Sequence, residues 1–262
     1  MNEENGGLTK KSIENYSSKD PEFDDRSRLD VVFDDAESTL YGKRFYLDHS
    51  YDLYKVRDSL SSAGLSVGNK LNYSYKKFQF KQAAAKEVFG PSFEEVSIDD
   101  ETRLESIYNE GFLEYKNSSL GTLKLKGGFT HYSYGYNTVL DLDSGFIENR
   151  LLGDVFSACA AYDKDLGAFK LESAAMLNVS GDLDGYDLKG RLSYRLGENA
   201  LAAVSVNLND HAPNWNFLLY QSDYINYNWQ NDFENENTQS LSAQLLADKL
   251  VNLDLEYARV GN

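Results

Sequence analysis

Six charged side chains carry the most suggestive chemistry in the sequence. In "FKLESAAMLNVS" (169–180) and "DLKGRLSYRL" (187–196), Lys170, Glu172, Asp187, Lys189, Arg191 and Arg195 fall on one parity, and the other parity is mostly apolar. A row of mixed charge on one face can line a water-filled passage and steer ions. Equally, it can be a solvated sheet face with cross-strand ion pairs. Other groupings carry less. His49, His131 and His211 share no metal-ligand spacing, and His131, two residues after Phe129 on an outward parity, reads as interfacial. Cys159 is alone, which excludes an internal disulfide and a thiolate cluster. "DLDGYD" (182–187) resembles half a calcium loop, but Asp187 and Ser193 stand where Gly and Glu are required, so it reads as a hairpin turn. No Gly-x-Ser-x-Gly, P-loop or dinucleotide fingerprint is present, and nothing marks a catalytic pair among the 42 Asp and Glu. The expectation is no enzyme, no cofactor and no metal.

A second candidate is "APNWNFLLYQSDYINYNWQNDF" (212–233), with seven aromatics, five asparagines and no basic residue. A disordered loop would be depleted in aromatics. Pro213 disfavours a helix before it, and the alternation in "YINYNW" reads as a short extended segment. The expectation is an ordered outer loop that packs Phe217, Leu218, Tyr220, Tyr227 and Trp229 into a small core over the mouth of a lumen, its asparagines satisfying backbone groups and facing water. The competing expectation is a sugar-stacking platform of Trp215, Tyr220, Tyr224, Tyr227 and Trp229.

These residues need strands to position them. Period-2 alternation, not helical periodicity, organises the chain. Ten segments show it: 39–54, 64–80, 104–116, 122–134, 151–162, 168–180, 186–196, 200–209, 238–247 and 251–260. Most reach about ten residues, a length that suits a strand tilted across a bilayer. Short connections follow the first, third, fifth, seventh and ninth segments, the first being a somewhat longer one near Val56 to Ala63. Long polar ones, 81–103, 135–150 and 210–237, follow the second, fourth and eighth, and only "GDLDG" breaks the pattern. Short turns on one side and long loops on the other is the wiring of an up-and-down outer-membrane barrel.

The cost of a lipid-facing charge chooses between the faces. Arg or Lys at the bilayer midplane costs about 2–4 kcal/mol, so Lys189 and Arg191 turn inward and the apolar parity turns to lipid. Gly127, Gly190, Ala158, Ala160, Ala175, Ala202 and Ala243 on that parity suit lipid, whose tails fill around small residues, better than a close-packed core. Tyr73, Tyr75, Tyr115, Tyr162, Phe169 and Tyr257, near strand ends, fit interfacial girdles. A soluble β-sandwich or solenoid, its apolar parity packed on a second sheet, remains the alternative.

Composition bounds the partners. A net charge of -16 argues against nucleic acid, whose phosphates demand Lys and Arg. Residues 1–37 are acidic and read as part of an outer loop, whose carboxylates could bind divalent cations among surface lipids or simply keep the loop soluble. The N-terminus has no apolar signal region, which reads as a fragment of a longer precursor.

The runs "GAFKLESAAMLNVSGDLDGYDLKGRLSYRL" and "APNWNFLLYQSDYINYNWQNDFENENTQSLSAQL", with the earlier "RLDVVFDDAESTLYGKRFYLDHSYDLY", resemble the putative porin family of Bacteroidota outer membranes. The resemblance spans most of the chain, and "NFLLYQSDY…NYNWQN" is its most specific part. It implies an all-β fold: an antiparallel up-and-down transmembrane β-barrel, here an incomplete barrel of about ten strands (38–262) with long outer loops. Family members are considerably longer, start with a signal peptide and close a complete barrel. The implied function is a channel for small hydrophilic solutes in the cell outer membrane, with outer-membrane lipid and lipopolysaccharide as surroundings. The alternative is an adhesin or glycan-binding protein acting through its aromatic outer loops.

Overall fold

A computed structural model describes residues 2–25, 28–57, 62–137, 140–142, 145–197, 199–248 and 250–261. Ten long strands dominate it: β2 (Ala36–Arg57), β3 (Ser62–Ala84), β4 (Val96–Asn117), β5 (Gly121–Tyr136), β8 (Arg150–Leu166), β9 (Phe169–Gly181), β10 (Gly185–Arg195), β11 (Ala200–His211), β14 (Glu236–Ala247) and β15 (Val251–Gly261). With β1 (Asn2–Glu4) they form one eleven-stranded sheet in the order β1-β2-β3-β4-β5-β8-β9-β10-β11-β14-β15. Each neighbouring pair is antiparallel. The sheet is open: no pairing among the described residues joins β15 to β1 or β2.

All ten expected strands are present, and several run further than the alternation marks. Strand β4 begins at Val96 and β3 continues to Ala84 because polar pairs continue their ladder where alternation fails. Lys77 Nζ lies 2.7 Å from Glu101 and Lys81 Nζ 3.8 Å from Asp99. Gln79 Nε2 donates to Asp99 Oδ1 at 2.6 Å. Cross-strand ion pairs of this kind stabilise a sheet as apolar pairs do.

The connections segregate as expected. The turns at 118–120 and 167–168 sit at one end of the sheet, and the long connections and residues 2–35 at the other, with the short 182–184 turn beside them. Residues 58–61, 198 and 249, which belong to three of the short connections, lie outside the described residues. Short elements fold at the long-connection end. They are helix α1 (Lys10–Ser17), hairpin β6–β7 (Leu140–Leu142, Gly145–Ile147), helix α2 (Trp215–Leu218) and the pair β12–β13 (Leu219–Tyr220, Trp229–Gln230). Thr9 caps α1, its hydroxyl oxygen accepting from the Ser12 amide at 3.2 Å.

Burial is inverted relative to a water-soluble sheet. Buried hydrophobics among the described residues number twelve, and most of them, including Leu29, Phe33, Ile98, Tyr134, Ile147 and Leu219, cluster at the long-connection end. Along the strands, large apolar side chains are exposed instead: Phe45 55%, Leu125 46%, Leu177 52%, Leu192 47%, Val204 50% and Leu255 59%. A Cβ built on Gly127 or Gly190, both on that face, meets nothing within 4 Å. The apolar parity packs against no second sheet, so the sandwich expectation fails among the described residues.

Candidate functional site: the charged face and its aromatic cap

Register fixes which residues share a face. Directly paired residues lie on the same side of a sheet, and one such row runs Phe112, Lys126, Cys159, Met176, Asp187, Asn209 and Thr238. The neighbouring inward rows supply the charge. Lys170, Glu172, Asp187, Lys189, Arg191 and Arg195 all fall on this face, as their parity requires.

Their partners differ from the expected cross-strand acids. Lys170 Nζ meets Glu172 at 2.6 Å and Lys189 Nζ meets Asp187 at 2.9 Å, each pair along its own strand. Arg191 stands opposite Glu172 in register but donates to Ser205 Oγ at 3.3 Å and Gln244 Oε1 at 2.8 Å. Its fork thereby spans β10, β11 and β14. Arg195 lies at the turn end and is exposed. Between these strands runs a polar groove of about 630 Å³, bordered by Asp163, Glu172, Lys189, Arg191, Asp254 and Glu256.

Sequence reasoning passed over a second charged strip on β2 to β5. Lys70 pairs with Asp48 at 3.5 Å, Lys124 with Glu114 at 3.3 Å and Lys126 with Glu110 at 3.4 Å. The Tyr108 hydroxyl donates to Glu110 at 2.6 Å, and Lys124 lies 3.8 Å from the Phe112 ring centre. The same alternation in 104–116 and 122–134 carries the signal, since Glu110, Glu114, Lys124 and Lys126 share the parity that pairs across β4 and β5. Glycines leave room for aromatic side chains on this face. A Cβ at Gly68 would come within 2.3 Å of the Phe112 ring, and one at Gly153 within 2.5 Å of the Tyr132 hydroxyl.

Residues 212–235 fold onto this face at the long-connection end. Tyr132, Tyr134 and Tyr136 of β5 share the parity of Lys124 and Lys126 and form the platform. The Trp215 ring lies 4.7 Å from Tyr132 and stacks on Tyr134 at 6.0 Å, Tyr220 meets Tyr136 edge-on at 5.9 Å, and Trp229 stacks on Tyr220 at 4.8 Å. Leu219 is fully buried among Tyr134, Tyr136 and Ile147. Two expectations are corrected here. Phe217 is 54% exposed and Tyr227 39%, and Leu218 stays outside the buried cluster, so Leu219 and Tyr224 anchor the loop. The stretch after Tyr224 is a turn, closed by the Tyr227 amide on the Tyr224 carbonyl at 3.0 Å, because Asn228 captures the backbone. Asn228 Nδ2 donates to the Ser222 and Tyr224 carbonyls at 3.0 and 2.9 Å, and its Oδ1 accepts from the Ser222 amide at 3.0 Å.

Tyr224 ties three segments together. Its hydroxyl donates to Gln82 Oε1 at 2.6 Å and accepts from the Lys86 amide at 3.0 Å. Its ring meets Phe89 at 5.0 Å, and Phe89 meets Phe33 of the N-terminal segment at 5.6 Å. Burial, then the nearby Asp100 and Asp35 carboxylates, push the Tyr224 phenol above its ordinary value, against the Lys86 backbone. At Asp35 the Lys86 ammonium, 2.8 Å away, and Gln82 outweigh burial and hold the carboxyl below its usual range. His131 faces outward, Nδ1 2.7 Å from Asp154. Among the described residues no three His, Cys, Asp or Glu are placed to hold a metal ion, and no helix is long and apolar enough to cross a membrane.

No curated protein matches the chain. A family model does, over residues 1–262, and its description is "Putative porin".

Proposed function

Given that the chain belongs to the putative porin family, we propose that it forms part of an outer-membrane channel through which small hydrophilic solutes diffuse along the charged face. The sheet then curls into an up-and-down barrel with its apolar parity toward lipid and its long connections outside. One observation carries this reading: large apolar side chains are exposed along one face of the strands, whereas most ion pairs between the strand ends lie on the opposite face. Exposed apolar surface on that scale marks contact with a nonaqueous partner.

The dimensions agree. On the apolar face of β10 run Tyr186, Leu188, Gly190, Leu192 and Tyr194, an aromatic at each end of an apolar core. Eight residue steps at about 3.4 Å cover roughly 27 Å along the strand, and a tilt of about 40° reduces that to about 21 Å, close to the ~25 Å apolar band of such barrels. In the full-length barrel the edges of β2 and β15 that stay open in this sheet are paired, because hydrocarbon does not tolerate unpaired backbone.

Planar-bilayer recording of the full-length protein tests it. Discrete conductance steps whose cation-to-anion ratio shifts with Arg191→Leu are expected. Properly inserted protein without conductance contradicts the channel.

A further inference from the structure

Beneath the aromatic cap lies a cavity of about 510 Å³ that the channel reading does not use. We propose that it is a binding site for a neutral saccharide, a flat hydroxylated ring held between aromatic faces at the long-connection end of the sheet. The site rests on the cavity alone and stands whether or not the sheet closes into a pore.

Its walls come from two directions. Phe78 and Phe80 of β3 and Tyr136 of β5 supply the floor, and Tyr220 and Tyr227 of the cap supply the opposite side. Among the described residues thirteen line it, and eight of them are aromatic. The volume falls within the roughly 300–1,000 Å³ range of small-molecule sites, which combine apolar walls with a few placed polar groups.

The polar groups are of both kinds, the Asn216 amide and the tyrosine hydroxyls as donors and Gln221 and Asp100 as acceptors. Gln221 is 3% exposed and lines the cavity. Its Nε2 donates to the Glu148 carbonyl at 3.1 Å, and its Oε1 is buried without a hydrogen-bond partner among the described residues. A buried acceptor left unsatisfied is costly. Asp100, the one acid on the wall among the described residues, already accepts from the Ser222 hydroxyl and from the Asp223 amide at 2.7 Å. No Lys, Arg or His lines the cavity among the described residues, which disfavours an anion. The carboxylate is held by two loop donors, and the unsatisfied acceptor is a neutral amide, so the site favours a hydroxyl over an ammonium group. A pyranose offers what remains: apolar C–H faces for the rings and hydroxyl donors at its edge.

Trp229, stacked on the wall residue Tyr220, reports occupancy through its fluorescence. The full-length protein in detergent is titrated with cellobiose and with maltose, and separately with tetramethylammonium and gluconate. Expected is saturable change with at least one disaccharide and none with either ion. Gln221→Met and Phe80→Leu should each weaken binding at least tenfold. Phe80 lies on a strand, so its variant keeps the test valid if Gln221→Met loosens the cap, which protease resistance of 212–235 would reveal. No saturable signal from either disaccharide, equal affinity in both variants, or binding of tetramethylammonium in their place overturns the assignment.

Discussion

Arg191 and Leu192 are adjacent in sequence and opposite in environment. Arg191 is held by Ser205 and Gln244 on the charged face, and Leu192 is 47% exposed between Leu171 and Val204 on the other. Leu192→Arg should therefore impair membrane assembly, because a charge on the lipid side near the midplane costs about 2–4 kcal/mol. Arg191→Leu should leave assembly intact and change ion preference, as heat-modified gel mobility and reversal potentials would record. Gly190 supplies a sharper contrast with a packed core. Overpacking a core costs about 1–3 kcal/mol, yet a Cβ at Gly190 meets nothing. Gly190→Leu should assemble as well as the parent, and failure to assemble would place that face against protein. The parity of the six charged residues was legible from alternation alone. Their partners were not, because Arg191 reaches Gln244 two strands away, a distance that only register defines.

The cap is the element whose outline the sequence showed and whose interior it hid. Aromatic richness marked 212–233 as ordered, and asparagines do hold its backbone, as Asn228 and Asn231 show. Of the five expected core residues Tyr220 and Trp229 stack in the cap, whereas Phe217, Leu218 and Tyr227 stay outside the buried cluster. Helix α2 rotates Phe217 outward and delivers Leu219 to the β5 tyrosines, and nothing local encodes that rotation. Likewise the apparent alternation of 224–229 loses to Asn228, whose side chain bonds four backbone groups and favours a turn. Tyr224→Phe should detach the cap, since it leaves buried Gln82 Oε1 without its 2.6 Å donor, a loss of about 1–3 kcal/mol. Limited proteolysis within 212–235 would measure this as faster cleavage. Alkaline pH should act in the same direction. The Tyr224 phenol is raised in the docked cap, so the docked state needs it neutral. Its contribution is complete below the ordinary tyrosine value near 10 and fades as pH rises through the docked value. Cleavage should accelerate above about pH 10 in the parent, with a shallower pH response in Tyr224→Phe. Deleting 215–231 from the full-length protein should enlarge single-channel conductance if the cap narrows the entrance.

At the scale of the molecule, strand number and order followed from alternation and connection length, because an antiparallel meander pairs each strand with its chain neighbours. What alternation could not supply was the polar extension of β3 and β4 or the fold of residues 2–35, where ion pairs, caps and the Phe33–Phe89–Tyr224 ring contacts replace period-2 burial. The open edges of β2 and β15 carry a prediction of their own. Residues 1–262 expressed alone should aggregate or require detergent, and sedimentation without detergent would show it; a soluble, cooperatively unfolding monomer would contradict a lipid-facing sheet. The central claim is the assignment of the two faces. It is tested most directly by spin labels at Arg191→Cys and Leu192→Cys in the full-length protein, with Cys159→Ser as background, reconstituted in bilayers. The label at 192 should relax fastest with lipid-soluble oxygen, and the label at 191 with a water-soluble nickel chelate. The reverse pattern, or equal access of the chelate to both, would contradict the account.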